Sequence, residues 1–259
     1  MSLRDPQFKT KTGFAFPGVT LAERAQLWSE LAEKAFITPA QMVEAASYSM
    51  AMVVRHALGL SASGGRVLAL VGDCPAGWIA MATIRHLINA GGEGLVLQAG
   101  STSAASPEFE LQARSLRALG IEFGDLSLLV DGTQSHLLPA CHNVLIGLLD
   151  APHCDPAVAD KCISLLNEAR TPIHSVEAPL GFNLDTGQGG SNPLFSSSTL
   201  SLGAPLQGLF KGSDFVGRHY LCDISIMKQS YAGIGIDLGH LFAEQPVVEI
   251  FPIMEEETE

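Results

Sequence analysis

Positive charge is scarce in this chain. It has 15 Lys and Arg against 27 Asp and Glu, a formal net charge of −12. A field of that sign repels phosphate backbones, and no Lys/Arg cluster offsets it, so nucleic acid is disfavoured as a partner. Long apolar runs are also missing: none reaches the roughly 20 residues a membrane-spanning helix needs. Met1 to Pro17 holds no apolar signal core, so a soluble, cytoplasmic protein without a membrane partner is expected. The five cysteines, Cys74, Cys141, Cys154, Cys162 and Cys222, form no C-x-x-C pair and no zinc-like spacing. Reduced, mostly buried thiols and no metal site are expected. No G-x-S-x-G elbow, H-E-x-x-H helix or Walker loop occurs.

What is present points to one globular unit over residues 1–259, with an N-terminal arm at 1–19 and an acidic tail at 254–259. Hydrophobic residues make up 47% of the chain and charged residues 16%, enough apolar material for a large core. Thr20 with Glu23, and Thr38 with Gln41, are capping-box patterns that start two helices. The second has Pro39 at its first position. Arg66 to Val71 is a continuous apolar run of the kind buried on both faces of a parallel sheet. A turn at Gly72 to Gly77 follows, then a helix over 79–90 and a strand over 94–98. A helix opened by Ser106-Pro107 comes next, then a strand over 143–149, a helix over 155–169 and a strand over 172–177. This alternation predicts a three-layer α/β, Rossmann-like doubly wound sheet, mainly parallel, with helices on both faces. Residues 199–202, 220–226 and 247–252 read as short strands that extend it.

Ligands of such sheets sit outside the carboxyl ends of the strands. Three strand ends supply the candidate ligand pocket: Gly72, Asp73 and Gly77; Asp150 and His153; Glu177 and Asn183. The first is a poor phosphate cradle. Pro75 has no N–H to donate, Trp78 crowds the helix start, and Asp73 adds charge of the wrong sign. Asp150 with His153 reads equally as a polar dyad or as part of a turn, and Asp155 reads as a helix cap. Glu177 is the ionisable group at the end of an apolar strand, where a carboxylate is costly unless paired, solvated or used. It is the candidate catalytic residue.

The order of these pieces resembles the YjeF N-terminal domain family. The likeness runs from about Phe36 to Ile253. It rests on Thr38-x-x-Gln41-Met42, Arg66 to Gly72, Asn143 to Leu149, Thr171 to Gly187, Leu202-Gly203-Ala204-Pro205 and Gly217 to Ile224. The resemblance implies NAD(P)HX epimerisation, a bound potassium ion, and a homodimer built through the N-terminal helices, with Ala45, Ala46, Met50 and Met52 as contact candidates. It also exposes departures. The family's G-N-N-G-G-D-G loop is replaced by Cys74-Pro75-Ala76-Gly77-Trp78-Ile79-Ala80. The three potassium-ligand positions fall on Pro75 or Ala76, Gly147 and Leu180, none with a side-chain oxygen. The substrate-contacting Asp becomes Glu177, and a later Asp becomes Asn183. The pattern is also similar to the enhancer-of-decapping-3 proteins, where the fold is a dimer scaffold.

Two functions follow as expectations. One is a dimeric scaffold that binds a small ligand or a protein partner, without epimerase activity and without a cofactor. The other is an isomerase with a site rebuilt around Glu177, for which potassium and NAD(P)HX would be required. RNA binding, by analogy with the decapping scaffold, is disfavoured by the charge.

Overall fold

The computed structural model describes residues 4–57, 64–100, 105–149 and 155–254. Strands β1 (Phe8–Thr10) and β2 (Ala15–Phe16) form a hairpin, followed by helices α1 (Leu21–Glu33) and α2 (Pro39–Met52). Then come β3 (Arg66–Val71), α3 (Pro75–Asn89), β4 (Glu93–Gln98), α4 (Pro107–Ala118) and β5 (Phe123–Asp125). Two short helices, α5 (Ser127–Val130) and α6 (Leu137–Ala140), lead to β6 (Asn143–Gly147), α7 (Pro156–Glu168) and β7 (Ile173–Val176). The chain ends with β8 (Ser198–Leu202), α8 (Gly208–Lys211), α9 (Ser213–Val216), β9 (Arg218–Cys222), α10 (Lys228–Gly233) and β10 (Val247–Pro252).

All ten strands of the described residues join one sheet in the order β2-β1-β10-β9-β8-β7-β6-β3-β4-β5. Strands β9 through β5 in that order are parallel; β10, β1 and β2 are antiparallel to their neighbours. Side chains of β3 alternate between two cores. Val67, Ala69 and Val71 pack with α2, α3 and α4, while Leu68 and Leu70 pack with α5, α6 and α7. Burial on both faces is why the strand reads as unbroken hydrophobicity. The Rossmann-like, doubly wound architecture is therefore as the sequence predicts.

Both capping boxes form. Thr20 and Thr38 accept from the amides of Glu23 and Gln41, whose side chains accept from the cap amides in return. Asp155 caps α7 by accepting from the Ala157 amide. Other expectations need correction. Helix α3 starts at Pro75, not Ile79, because proline at the first helical position loses no hydrogen bond and is already set at the helical φ. The stretch expected to be an arm is part of the sheet: Phe8 to Thr10 pair with Pro252 to Ile250, and Phe8 is fully buried. Ala46 and Met50, read as dimer contacts, are fully buried inside the chain, where α2 packs on α3. Ala45 and Met52 are half-buried. No helix of the described residues is long and apolar enough to cross a membrane.

Candidate functional site at the strand ends

The chain runs outward from β3 to β4 and β5, then returns to β6 on the other side of β3. The switch point, where ligands enter such sheets, thus lies outside the carboxyl ends of β3 and β6. The start of α3 packs closely on the backbone at these two strand ends. A Cβ added to Gly77 would lie 2.0 Å from the Gly72 carbonyl oxygen and 2.9 Å from that of Gly147. One added to Gly147 would lie 2.6 Å from the Ala76 carbonyl oxygen. These glycines serve close backbone packing. The Gly72 amide donates to the Gly147 carbonyl at 2.9 Å, and the Cys74 amide donates to the Gly72 carbonyl at 3.0 Å. The Gly72 amide is thus taken up by β6, and the Cys74 amide by the turn itself.

Asp73 is engaged by its surroundings. The Trp78 indole N–H donates to it at 2.9 Å and the Ser106 amide at 2.7 Å, and the Ser106 hydroxyl bonds to it as well. Ser106 in turn caps α4 by accepting from the Phe109 amide. Asp73 and Trp78, two apparent obstacles to phosphate, are thus partners that tie the β3 turn to α4. Asn183 is exposed, and its side-chain oxygen accepts from the amides of Asp185 and Thr186 at 3.0 and 2.8 Å. This is an asparagine-nucleated turn. Asp150 and His153 lie outside the described residues.

Glu177 stands apart. It follows β7 with φ +70°, a region in which a side chain is strained. The Ala178 amide donates to the Val176 carbonyl across it at 3.0 Å, a three-residue turn. The neighbouring strand β8 ends in the same bend: the Ala204 amide donates to Leu202 across Gly203, at φ +74°. One strand uses glycine for this bend; the other holds a carboxylate there at a steric cost.

The Glu177 side chain, 6% exposed, forms an ion pair of 2.8 Å with Arg24 of α1. The Arg24 guanidinium lies 5.1 Å from the centre of the Trp28 ring, one helical turn on. Helix α1 reaches this position because its approach is fixed: the Val19 amide bonds to Pro205, and Asp185 accepts from the Leu21 amide at 2.8 Å. Cys222, at the end of β9, is also near. Burial pushes its thiol up first, and the charges of Asp223 and Glu177 add to this. Arg24 escaped the reading of the sequence. Its one local signal is the spacing Arg24-x-x-x-Trp28, which places a cation and an aromatic ring on one helix face.

A cavity of about 1070 Å³ runs beside β5, lined by Gln98, Gly100, Arg117, Asp125, Ser127 and Asp155 among others. Gly72, Asp73, Gly77, Glu177 and Asn183 are not among its walls. Among the described residues no three His, Cys, Asp or Glu side chains gather as a metal site.

A family model described as YjeF-related protein N-terminus matches residues 39–208. An NAD(P)H-hydrate epimerase of Yarrowia lipolytica is 28% identical over 204 residues, covering 75% of this chain and 80% of that protein. One from Rhodopirellula baltica is 27% identical over 166 residues, covering 62% of this chain and 67% of that protein. The crystal structure of yeast ynu0 superposes with a TM-score of 0.74 at 17% identity, covering 90% of this chain and 99% of that one, a likeness of fold. The positions that the resemblance assigns to a potassium ion lack the side-chain ligands it implies. Pro75, Ala76, Gly147 and Leu180 offer no side-chain oxygen, and the backbone beside Gly147 leaves no space for a side chain there.

Proposed function

This chain belongs to the family of YjeF-related protein N-termini, and we propose that within it this member has given up epimerisation and acts as a dimeric scaffold that binds a small ligand or a protein partner. The Arg24–Glu177 pair carries the reading. General acid–base work needs a carboxylate free to exchange a proton with a substrate. Glu177 is instead buried against a permanently charged guanidinium of the same chain. The oxygen-free side chains at Pro75, Ala76, Gly147 and Leu180 support the same conclusion.

The dimer is assigned to the outer face of α2, now that its inner face is accounted for by the core. Tyr48 is 55% exposed there, and Phe36, at the entry to this helix, is 81% exposed. A twofold contact needs such a self-complementary patch. Sedimentation at micromolar concentration is expected to give a dimer that Tyr48→Glu dissociates; a monomeric parent chain would refute this part of the reading.

The second reading is an active NAD(P)H-hydrate epimerase, favoured by the names of the two relatives. The two readings separate in one assay. Both epimers of hydrated NADPH are supplied with a dehydratase that consumes a single epimer. Without epimerase activity, the other epimer persists at its spontaneous rate whether or not this protein is added. Complete consumption of both, lost in Glu177→Gln, would establish the enzyme instead.

A further inference from the structure

Beyond the matched stretch at 39–208, the loop after β9, helix α10 and the segment up to Ala243 enclose a cavity of about 520 Å³. That volume suits a drug-sized or smaller ligand. Its walls include buried Tyr231, Ile236 and Leu238, with Phe242 half-buried. The Tyr231 hydroxyl donates to the Gly203 carbonyl at 2.9 Å, which fixes the ring beside the cavity.

Two carboxylates belong to this wall. Asp223, half-buried at the end of β9, accepts from the Ser225 amide at 2.7 Å through one oxygen. Asp237 accepts from the Gly239 amide at 2.7 Å, also through one oxygen. Both side chains are thereby anchored in orientation. Asp237 is exposed, as are Lys228 and His240, so Asp223 is the one half-buried charged residue of this wall. A half-buried carboxylate among apolar side chains favours a ligand that carries the opposite charge. Aromatic ring faces attract cations as well.

We infer that this cavity binds a small organic ammonium ion, its charged nitrogen toward half-buried Asp223 and its apolar body against Ile236, Leu238 and Phe242. Glu177 is not among the walls of this cavity, and the inference does not depend on whether the chain epimerises anything.

Titration calorimetry with phenethylamine tests it, with 2-phenylethanol and phenylacetate as neutral and anionic counterparts of similar shape. Phenethylamine is expected to bind at about 1 mM or tighter, 2-phenylethanol about tenfold more weakly, and phenylacetate not measurably. Asp223→Asn keeps an acceptor for the Ser225 amide and so preserves the turn, yet is expected to weaken phenethylamine about tenfold. Ala232→Trp, on the cavity wall, is expected to abolish binding by filling the space. Absence of phenethylamine binding, an unchanged affinity in Asp223→Asn, or equal binding of phenylacetate would each overturn the inference. An unchanged far-UV circular dichroism spectrum and melting temperature show that the variants are folded.

Discussion

Arg24→Ala is expected to cost about 3–5 kcal/mol of folding stability, the usual penalty for removing one partner of a buried ion pair. Its side chain is 15% exposed and that of Glu177 6%, so solvent does little to replace the lost charge. The loss includes a smaller share from the Arg24–Trp28 contact, about 0.5–2 kcal/mol. The double variant Arg24→Met, Glu177→Gln is expected to regain most of the stability, because the pair is then replaced by neutral groups of similar size. Urea unfolding of the parent, Arg24→Met, Glu177→Gln and the double variant, a closed double-mutant cycle, measures this coupling. An Arg24→Ala midpoint close to that of the parent chain would mean the ion pair contributes little, and would remove the main support for Glu177 being held in a structural role.

Stability is also expected to fall as the pH drops from about 6.5 toward 4, before most carboxylates titrate. Two histidines are responsible. His174 bridges β6 and β8, with its ring nitrogens 2.9 Å from Asn143 Oδ1 and 2.9 Å from Ser198 Oγ. Burial lowers its pKa to about 4. His219 on β9 bonds to Ser201 at 2.8 Å and meets the edge of Phe8; burial lowers its pKa to about 3. The unfolded chain binds protons on both at about pH 6.5, while the folded chain resists them. Their stabilising effect is therefore complete above pH 6.5 and is lost as the pH falls through the folded values. At about 1.4 kcal/mol per pKa unit, each is worth several kcal/mol at the acid end. His86, lowered first by burial, acts in the same direction. Glu30, held at about 2 chiefly by its bond to Ser230, belongs to a lower window, below the usual carboxylate range. Denaturation midpoints between pH 7 and 4.5 should decline, and His174→Gln with His219→Gln should flatten the decline. A flat profile in the parent chain would contradict the burial of neutral imidazoles.

Local patterns in the chain were readable because their causes are local. A capping box needs only Thr20 and Glu23, and a strand buried on both faces needs only the run from Arg66 to Val71. The turn at Asn183 has a local cause too, since Asn183-Leu-Asp185-Thr186 is a turn-forming string, yet the analogy with a family position drew it into the pocket. Arg24 is different. Its partner is brought to it by the seating of α1 against the chain that follows β7, and no spacing in the sequence encodes that meeting. The same holds for Asp73, whose bonds to Ser106 depend on how α4 approaches the β3 turn. The hairpin at 8–16 was invisible for another reason: strands of three and two residues are too short for an alternating pattern to register.

The pairing of Phe8 with Pro252 has a consequence for biosynthesis. The first strand leaves the ribosome long before the strand it pairs with. Until then the N-terminal hairpin has no partner in the sheet, and β9 lacks its outer neighbour. Completion of this half of the sheet thus waits for synthesis of Val247–Pro252, an arrangement of high contact order that slows folding. Nascent chains stalled short of Val247 should carry an open β9 edge, the kind of surface that chaperones cover and that aggregation seeks.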